Sequence, residues 1–447
     1  MSFIERYNQS IFLRNFSFLM IGNILGRAIN MITNIILARW LTPTGYGEYS
    51  LFLTYVVLFS AIASLGMQFI TNKYVARNQN ESRKYLYLSF CWRIIGYIFA
   101  VISVLLFYEI SSSEFMQAIL YALLIGVFLD SLWSGLQSIA FGMQRMEWNS
   151  IIDVVISAIT ALLYIGIQYY NSSLLTVENV IIIYLVLYLL KNIVYYISLQ
   201  NSHLITGNYK ITNVTAEDLK KLFMEGFPFY ILVIMGLFTN QLPSIFLNRN
   251  SGIEEVAYFN TANKLLLPMT ILLSTAMTAL FPNQAKLFAI DQKRYWEQCK
   301  KILDYLLLTG CIMALLVSMF RNELVNVLYG DAYTNTGSVM TFQCWYFVMF
   351  AIFSFNGNIL GAADRQKVLS IESVLYAIIT TPIVYYGSFY GAQGLSQAYA
   401  MSTLINIVYI YIILYKVSDK TLPLKALLRH IVILSSLVFG TFILIYN

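Results

Sequence analysis

Asn23, Arg27, Asn30 and Asn34 recur at i, i+4, i+7 and i+11 of the run FSFLMIGNILGRAINMITNIILA (16–38). An α-helix brings residues at those intervals onto one face. The chemistry of such a stripe is recognition. Amides both donate and accept hydrogen bonds, and a guanidinium is a rigid fork of donors that matches carboxylate or phosphate oxygens two at a time. The surrounding run is apolar and long enough to cross a bilayer, where a central arginine costs ~2.5–3.5 kcal/mol on insertion scales, so a charge kept there serves a pairing or a pathway. Comparable groups recur in other apolar runs: Ser60, Ser64 and Gln68; Asp130, Ser134 and Gln137; Asn260 and Lys264 with Asn263 beside them; and the single cations Arg93 and Lys191. Arg27, Arg93, Lys191 and Lys264 stand against one deep carboxylate, Asp130, so a cavity shared by these stripes is expected to be positive and to suit an anion.

Each group also has a structural reading. Amides and hydroxyls within membrane helices often only bond neighbouring helices, at roughly 0.6 kcal/mol apiece. Arg27 then pairs with Asp130, Lys264 snorkels outward, and Arg93 reaches the inner interface as a lipid anchor; Lys191 lies deeper than Arg93. Asp130 needs a partner, or else carries a coupling proton. Pro228, Pro243, Pro268 and Pro382 mark positions where helices can kink.

The elements that must position these groups follow from composition. The chain is 59% hydrophobic and 11% charged over 447 residues with a mean hydropathy of +0.67, which defines an integral membrane protein. Thirteen runs are long enough to span: 16–38, 49–70, 87–108, 116–140, 151–170, 178–200, 227–247, 256–282, 302–320, 339–360, 370–390, 395–415 and 426–446. Period-two alternation is absent, so an all-α polytopic bundle is expected and a β-barrel is not. The polar start MSFIERYNQSIFLRN leads into a full span with no cleavage site. With that start placed in the cytoplasm, inside segments hold 21 of the 28 basic residues and outside loops only Arg39, Arg249 and Arg321. The positive-inside rule therefore predicts a cytoplasmic N-terminus, and the net charge of +6 is topological, giving no ground for nucleic-acid binding. Cys91, Cys299, Cys311 and Cys344 lack close pairing and only His203 and His430 are present, so neither a metal site nor a disulfide is expected.

The longest polar break, 201–226, follows the sixth run and divides the chain into an N-terminal six-helix lobe (1–206), a cytoplasmic linker (207–226) and a C-terminal lobe (227–447). Thr215 with Asp218 is a capping-box pattern, which predicts a short interfacial helix in the linker. ARWLTPTGYGEYSL (38–51) is similar to FLNRNSGIEEVAYF (246–259), with Tyr49 opposite Tyr258, and FGMQR (141–145) to GAADR (361–365). Six spans being even, the halves form parallel repeats related by a pseudo-two-fold axis, a plan in which substrate binds between the lobes.

ILARWLTPTGYGEYSL (36–51), EGFPFYI (225–231), EEVAYFNTANKLLLP (254–268), ALFPNQAKL (279–287), NILGAADRQK (358–367) and YGAQGLSQAYA (390–400) together carry a family likeness over essentially the whole chain. The sequence resembles polysaccharide-unit flippases of the Wzx type, which handle O-antigen or capsule repeats, in the multidrug/oligosaccharidyl-lipid/polysaccharide exporter superfamily, whose members share the MATE-like fold. The run 426–446 is a thirteenth where twelve is the commoner number. The resemblance implies an undecaprenyl-pyrophosphate-linked oligosaccharide as cargo, flipped by alternating access across the bacterial cytoplasmic (inner) membrane. It further implies no catalytic residue and no cofactor, with H+ or Na+ as candidate coupling ions. A monomer among membrane lipids is expected, with a polysaccharide polymerase and a chain-length regulator as candidate partners. Arg27, Lys264, Lys191 and Arg93 would then meet the pyrophosphate, and the Asn, Gln and Ser side chains the sugars. A multidrug exporter of the same fold would need carboxylates in its lobes, and Asp304 and Glu372 sit near helix ends. A membrane polymerase or glycosyltransferase would need acid–base groups facing a sizeable loop, whereas YGDAYTNTG (329–337) reads as a turn. A bare channel or scaffold would need no buried cations.

Overall fold

A computed structural model describes residues 22, 24–111, 114–363, 365–418 and 424–446, and the described chain is helical with no strand among these residues. Asn23 lies outside them. The chain forms two compact units, one of Met1–Leu41 with Glu48–Leu237, the other of Thr42–Gly47 with Phe238–Asn447. Among the described residues, nine stretches are long and apolar enough to cross a membrane, the last of them, Ile371–Val417, containing two helices.

The first unit holds α1 (24–40), most of α2 (Thr42–Ser64), α3 (Met67–Arg77), α4 (Ser82–Ser111), α5 (Glu114–Gly142), α6 (Glu147–Tyr170), α7 (Val177–Asn201) and α8 (Ala216–Asn240) as far as Leu237. Helix α5 is its centre, packing against α3, α4, α6 and α7. The second unit holds α9 (Leu242–Ser251), α10 (Ile253–Ile290), α11 (Gln292–Met319), α12 (Arg321–Leu328), α13 (Thr336–Ala362), α14 (Gln366–Gly387), α15 (Gly391–Val417) and α16 (Leu424–Tyr446). Helix α13 is the corresponding centre, packed by α10, α11, α14 and α15.

The sequence repeats have matching local forms. Helix α1 gives way to α2 across Leu41 alone, and α9 to α10 across Gly252 alone, whose φ of 98° is open to glycine. The central helices end alike. Arg145 N–H donates to the Ala140 carbonyl at 2.9 Å after α5, and Arg365 N–H to the Leu360 carbonyl at 2.9 Å after α13. Both are the six-to-one closure that satisfies orphan carbonyls at a helix C-terminus. FGMQR and GAADR are thus alike because each stops a buried central helix.

Two expected elements are corrected. The short interfacial helix is instead the first turns of α8: the capping box forms, with Asp218 N–H donating to Thr215 Oγ1 at 3.1 Å, but the helix continues unbroken to Asn240. Its buried Leu222 packs with Leu65, Met67, Ile70 and Leu88, so the linker's end is anchored to the unit and continues as the seventh span. The run 49–70 is the second correction. It breaks at Leu65 and Gly66, both left-handed with φ of 47° and 72°. A Cβ on Gly66 would lie 2.9 Å from the Tyr230 amide nitrogen and 3.1 Å from the Gly226 carbonyl oxygen, so α8 approaches the break backbone to backbone. Gly66→Ala is accordingly expected to lower stability by about 1–2 kcal/mol from the left-handed conformation alone, before any clash. A thermal midpoint in detergent no lower than wild type would contradict this.

Helix α16 packs against α13 and α15. Near its start Arg429 Nη2 and His430 Nε2 lie 2.5 and 2.7 Å from one oxygen of Asp304, and His430 Nδ1 lies 3.1 Å from the Tyr411 hydroxyl. Asp304 therefore fastens the thirteenth run to the unit.

Candidate functional site

Helix α1 packs on α6 through small residues. A Cβ on Gly22 would strike Ser150 Cβ at 2.3 Å, a Cβ on Gly26 would meet Val154 at 3.8 Å, and the Asn30 amide donates to Ser157 Oγ at 3.2 Å. GNILG (22–26) is thus a small-xxx-small contact, the usual means of close approach between membrane helices. Asn30 and Asn34 also donate back to the Gly26 and Asn30 carbonyls at 2.9 and 2.6 Å. Arg27, next to this seam, is exposed and has no hydrogen-bond or ion-pair partner among the described residues. The expected structural fate of Arg27, a pair with Asp130, is not formed: Asp130 accepts the Tyr188 hydroxyl at 2.5 Å.

A polar relay crosses the first unit beside Asp130. The Gln68 amide donates to Gln137 at 3.4 Å, Gln137 to Asn149 at 2.9 Å and Asn149 to Asp153 Oδ2 at 3.0 Å. Lys191 closes it from the other side, 2.7 Å from Asp153 Oδ1 and 3.7 Å from the centre of the Trp133 ring. Every amide in this chain points its N–H toward the carboxylate, so successive dipoles reinforce its negative charge. Lys191, expected to meet the pyrophosphate, is thus held in an ion pair with Asp153 in this structure. Asp153, Asn149, Trp133 and Tyr188 escaped the sequence reading, although Asn149 with Asp153 and Tyr188 with Lys191 and Asn192 fall one helical turn apart, the signal that would have joined them.

Arg93 is corrected in another way. It does not snorkel: only 3% exposed, it lies between α4 and α5, with Nε donating to Ser89 at 3.1 Å and Nη1 to the Ser131 carbonyl at 2.6 Å and Ser134 Oγ at 2.7 Å. Its Nη2 is buried with no partner among the described residues. Gly135 makes the room, since a Cβ there would sit 2.8 Å from Nε. Its hydrogen-bond partners are neutral, and one nitrogen is left to donate.

Ser60 and Ser64 donate to the Val57 and Ala61 carbonyls at 3.1 and 3.0 Å on their own helix, while the break at Leu65 puts Gln68 on α3. In the second unit Asn260 donates to the Val256 carbonyl at 3.0 Å, Asn263 and Lys264 are half-buried, and Lys264 has no ion-pair partner among the described residues. Glu372, which the sequence places near a helix end, is only 3% exposed, and its Oε1 has no partner among the described residues. The described side chains of Pro243, buried, and Pro268, exposed, lie within helices, as does Pro382 in α14; the side chain of Pro228 lies outside the description.

At the end of the first unit where α3, α4 and α8 meet, Glu225 accepts the Tyr74 hydroxyl at 2.5 Å and lies 3.2 Å from Lys73. The Tyr74 hydrogen bond, then the Lys73 one, hold the Glu225 carboxyl below its ordinary value. A carboxyl depressed in the native state adds stability above its unfolded pKa and loses it as pH falls through the native one. Wild type should therefore exceed Glu225→Gln in thermal midpoint at pH 7, with the gap closing below pH about 4. A gap independent of pH would show that the charge plays no part. The gap itself is small, since both partners are over a third exposed.

These features define a class: an all-helical, multi-pass membrane protein of two repeated units with intramembrane polar and charged groups in each. Solved structures agree on the fold. The lipid II flippase MurJ in an inward closed conformation aligns with a TM-score of 0.72 at 14% identity, over 95% of this chain and 92% of that one. An inward-facing multidrug resistance MATE family transporter of the MOP superfamily aligns at 0.67 and 12%, over 88% and 96%. The Vibrio cholerae MATE transporter VcmN in its bent form aligns at 0.57 and 12%, over 92% and 98%. At such identities the likeness is one of fold, and the fold is MATE-like. No curated protein matches in sequence. The model of the polysaccharide biosynthesis protein family matches residues 12–288, more than half of the chain, and the protein belongs to that family.

Proposed function

We propose that the protein is a flippase that carries an undecaprenyl-pyrophosphate-linked oligosaccharide repeat from the cytoplasmic to the outer leaflet of a bacterial cytoplasmic membrane, by alternating access. The observation that supports this best is Arg27, a permanent cation held in an apolar helix, exposed and unpaired among the described residues. A pyrophosphate suits it because two phosphate oxygens engage both arms of a guanidinium. Lys264 is a second cation with no ion-pair partner among the described residues. Arg93, with its idle Nη2, and Lys191, once drawn from Asp153, are reserves. The amides of Asn30, Asn34, Gln68, Gln137, Asn260 and Asn263 would serve the sugars, while the polyprenyl chain stays in lipid. On this reading the N-terminus is cytoplasmic, the protein works as a monomer without cofactor, H+ or Na+ resets the carrier, and a polymerase and chain-length regulator use the product.

The test is accumulation. Deleting the protein should leave lipid-linked oligosaccharide accessible only from the cytoplasmic side, and the purified protein should move the labelled lipid across proteoliposomes. Wild-type leaflet distribution in the deletion would count against the proposal. One observation favours a second reading, a cation-coupled multidrug exporter: Glu372 is a buried carboxyl whose Oε1 has no partner among the described residues, a group of the kind such an exchanger needs. Uptake of organic cations driven by a proton or sodium gradient, with no movement of the lipid-linked sugar, would decide for it.

A further inference from the structure

Where α3, α4 and the start of α8 converge, Tyr74, Lys84, Tyr85, Leu88, Asp218, Lys221 and Leu222 line a small, half-open pocket of about 50 Å³. Its floor is apolar, with Leu88 and Leu222 each 2% exposed and belonging to the core under α8. The rings of Tyr74 and Tyr85 stack at 4.9 Å and 15° to make one wall. The polar rim is unevenly used. Tyr74 is committed to Glu225 at 2.5 Å, and Lys84 is paired with Asp218 at 3.2 Å while also lying 5.6 Å from the centre of the Tyr209 ring. Asp218 itself is spent. Burial would raise its carboxyl, but the Thr215 hydroxyl and Lys84 together hold it below its ordinary value, so it is an occupied acceptor on a helix cap. Lys221 and the Tyr85 hydroxyl, by contrast, hold no hydrogen bond or ion pair among the described residues. The uncommitted groups on this rim can thus both donate, one of them as a cation that acts on the Glu225 carboxyl only through space, above an apolar floor.

We propose that this pocket binds a phosphate anion at the membrane surface, with Lys221 and the Tyr85 hydroxyl on the phosphate oxygens, Lys84 turning toward it from Asp218, and the head group's carbon backbone on Leu88 and Leu222. The site is separate from the cargo path proposed above and stands whether or not that proposal holds. The apolar floor favours a phosphate attached to lipid, because a free ion has nothing to place there. Phosphatidylglycerol is the simplest such head group. The chain's own charge bias puts this end at the cytoplasmic leaflet, whose anionic lipids draw basic segments at the surface.

The experiment uses the full-length protein in nanodiscs of phosphatidylcholine, with thermal midpoint followed as phosphatidylglycerol replaces part of the lipid, and in a parallel arm as inorganic phosphate is added. Wild type should gain stability with phosphatidylglycerol. Lys221→Gln, which breaks no hydrogen bond or ion pair among the described residues, should need roughly fivefold more of it for the same gain. Tyr85→Phe keeps the stacked ring and should weaken the response to a smaller degree. Equal gains in wild type and Lys221→Gln, or no gain in either arm, would overturn the proposal. A gain with inorganic phosphate equal to that with the lipid, and lost in Lys221→Gln, would keep the anion site and assign it to free phosphate. A gain with the lipid alone assigns it to the head group.

Discussion

Arg27→Ala is expected to abolish flipping of labelled lipid-linked oligosaccharide in proteoliposomes, while Arg27→Lys retains a measurable fraction. Two charge-assisted hydrogen bonds to pyrophosphate, each worth about 1.5–3 kcal/mol, correspond to a loss of at least two orders of magnitude when both are removed. Lysine keeps the charge and gives up the fork, hence the partial activity. Folding should be spared, because Arg27 makes no bond among the described residues and the contact with α6 is made by Gly22, Gly26 and Asn30. Removing a cation from an apolar helix even eases insertion, by ~2.5–3.5 kcal/mol on insertion scales. A membrane potential adds a second readout. Each negative charge moved outward from a negative interior gains ~2.3 kcal/mol per 100 mV, so the wild-type rate should rise with an inside-negative potential. Well-inserted Arg27→Ala flipping at the wild-type rate would show that the arginine is structural.

The fold was legible because hydropathy alone specifies most membrane helices, and the two repeats were legible because each marks a helix end. ARWLTPTGYGEYSL and FLNRNSGIEEVAYF carry one-residue breaks, and FGMQR and GAADR carry the same C-terminal closure. The break at Leu65 and Gly66 was not legible. A left-handed leucine leaves no mark in an apolar run, and Gly66 is one glycine among 23. The candidate site was legible in residue type more than in partnership. Arg93 read as a lipid anchor because distance from the helix end suggests snorkelling, whereas the three serines and Gly135 that enclose it belong to its own and a neighbouring helix. The Lys191 ion pair left no mark in the sequence because Asp153 stands near the start of another run, and the pairing of α6 with α7 that joins them is tertiary. Glu372 shows the same limit. Position along a helix does not report burial once neighbours cover its end.

The Asp153–Lys191 pair is the other place where a large effect is expected, this time on stability. Their side chains are 31% and 16% exposed, so the pair is partly shielded, and Trp133 covers the ammonium at 3.7 Å. Removing one partner of a fully buried pair costs about 3–5 kcal/mol, and solvent screening at this exposure reduces that to roughly 2–3 kcal/mol for Asp153→Ala. The loss arises mainly from the stranded charge, since among the described residues Lys191 would keep the two rings of Trp133 and Tyr188 and no ion pair, and the Asn149 amide would lose its acceptor. Taking the charge away as well should therefore recover much of it. Asp153→Ala with Lys191→Met should melt closer to wild type than Asp153→Ala alone, because methionine packs against Trp133 without requiring a counter-ion. Transport separates the pair's two roles. If Lys191 is drawn from Asp153 by an anionic cargo, Asp153→Asn, which keeps the shape and frees the lysine, should tighten cargo binding even as it lowers the melting point. A double variant that melts no higher than Asp153→Ala would show that the carboxylate contributes through the Gln68–Gln137–Asn149 relay and not through Lys191. An Asp153→Asn protein that binds cargo less tightly would show that Lys191 stays paired throughout.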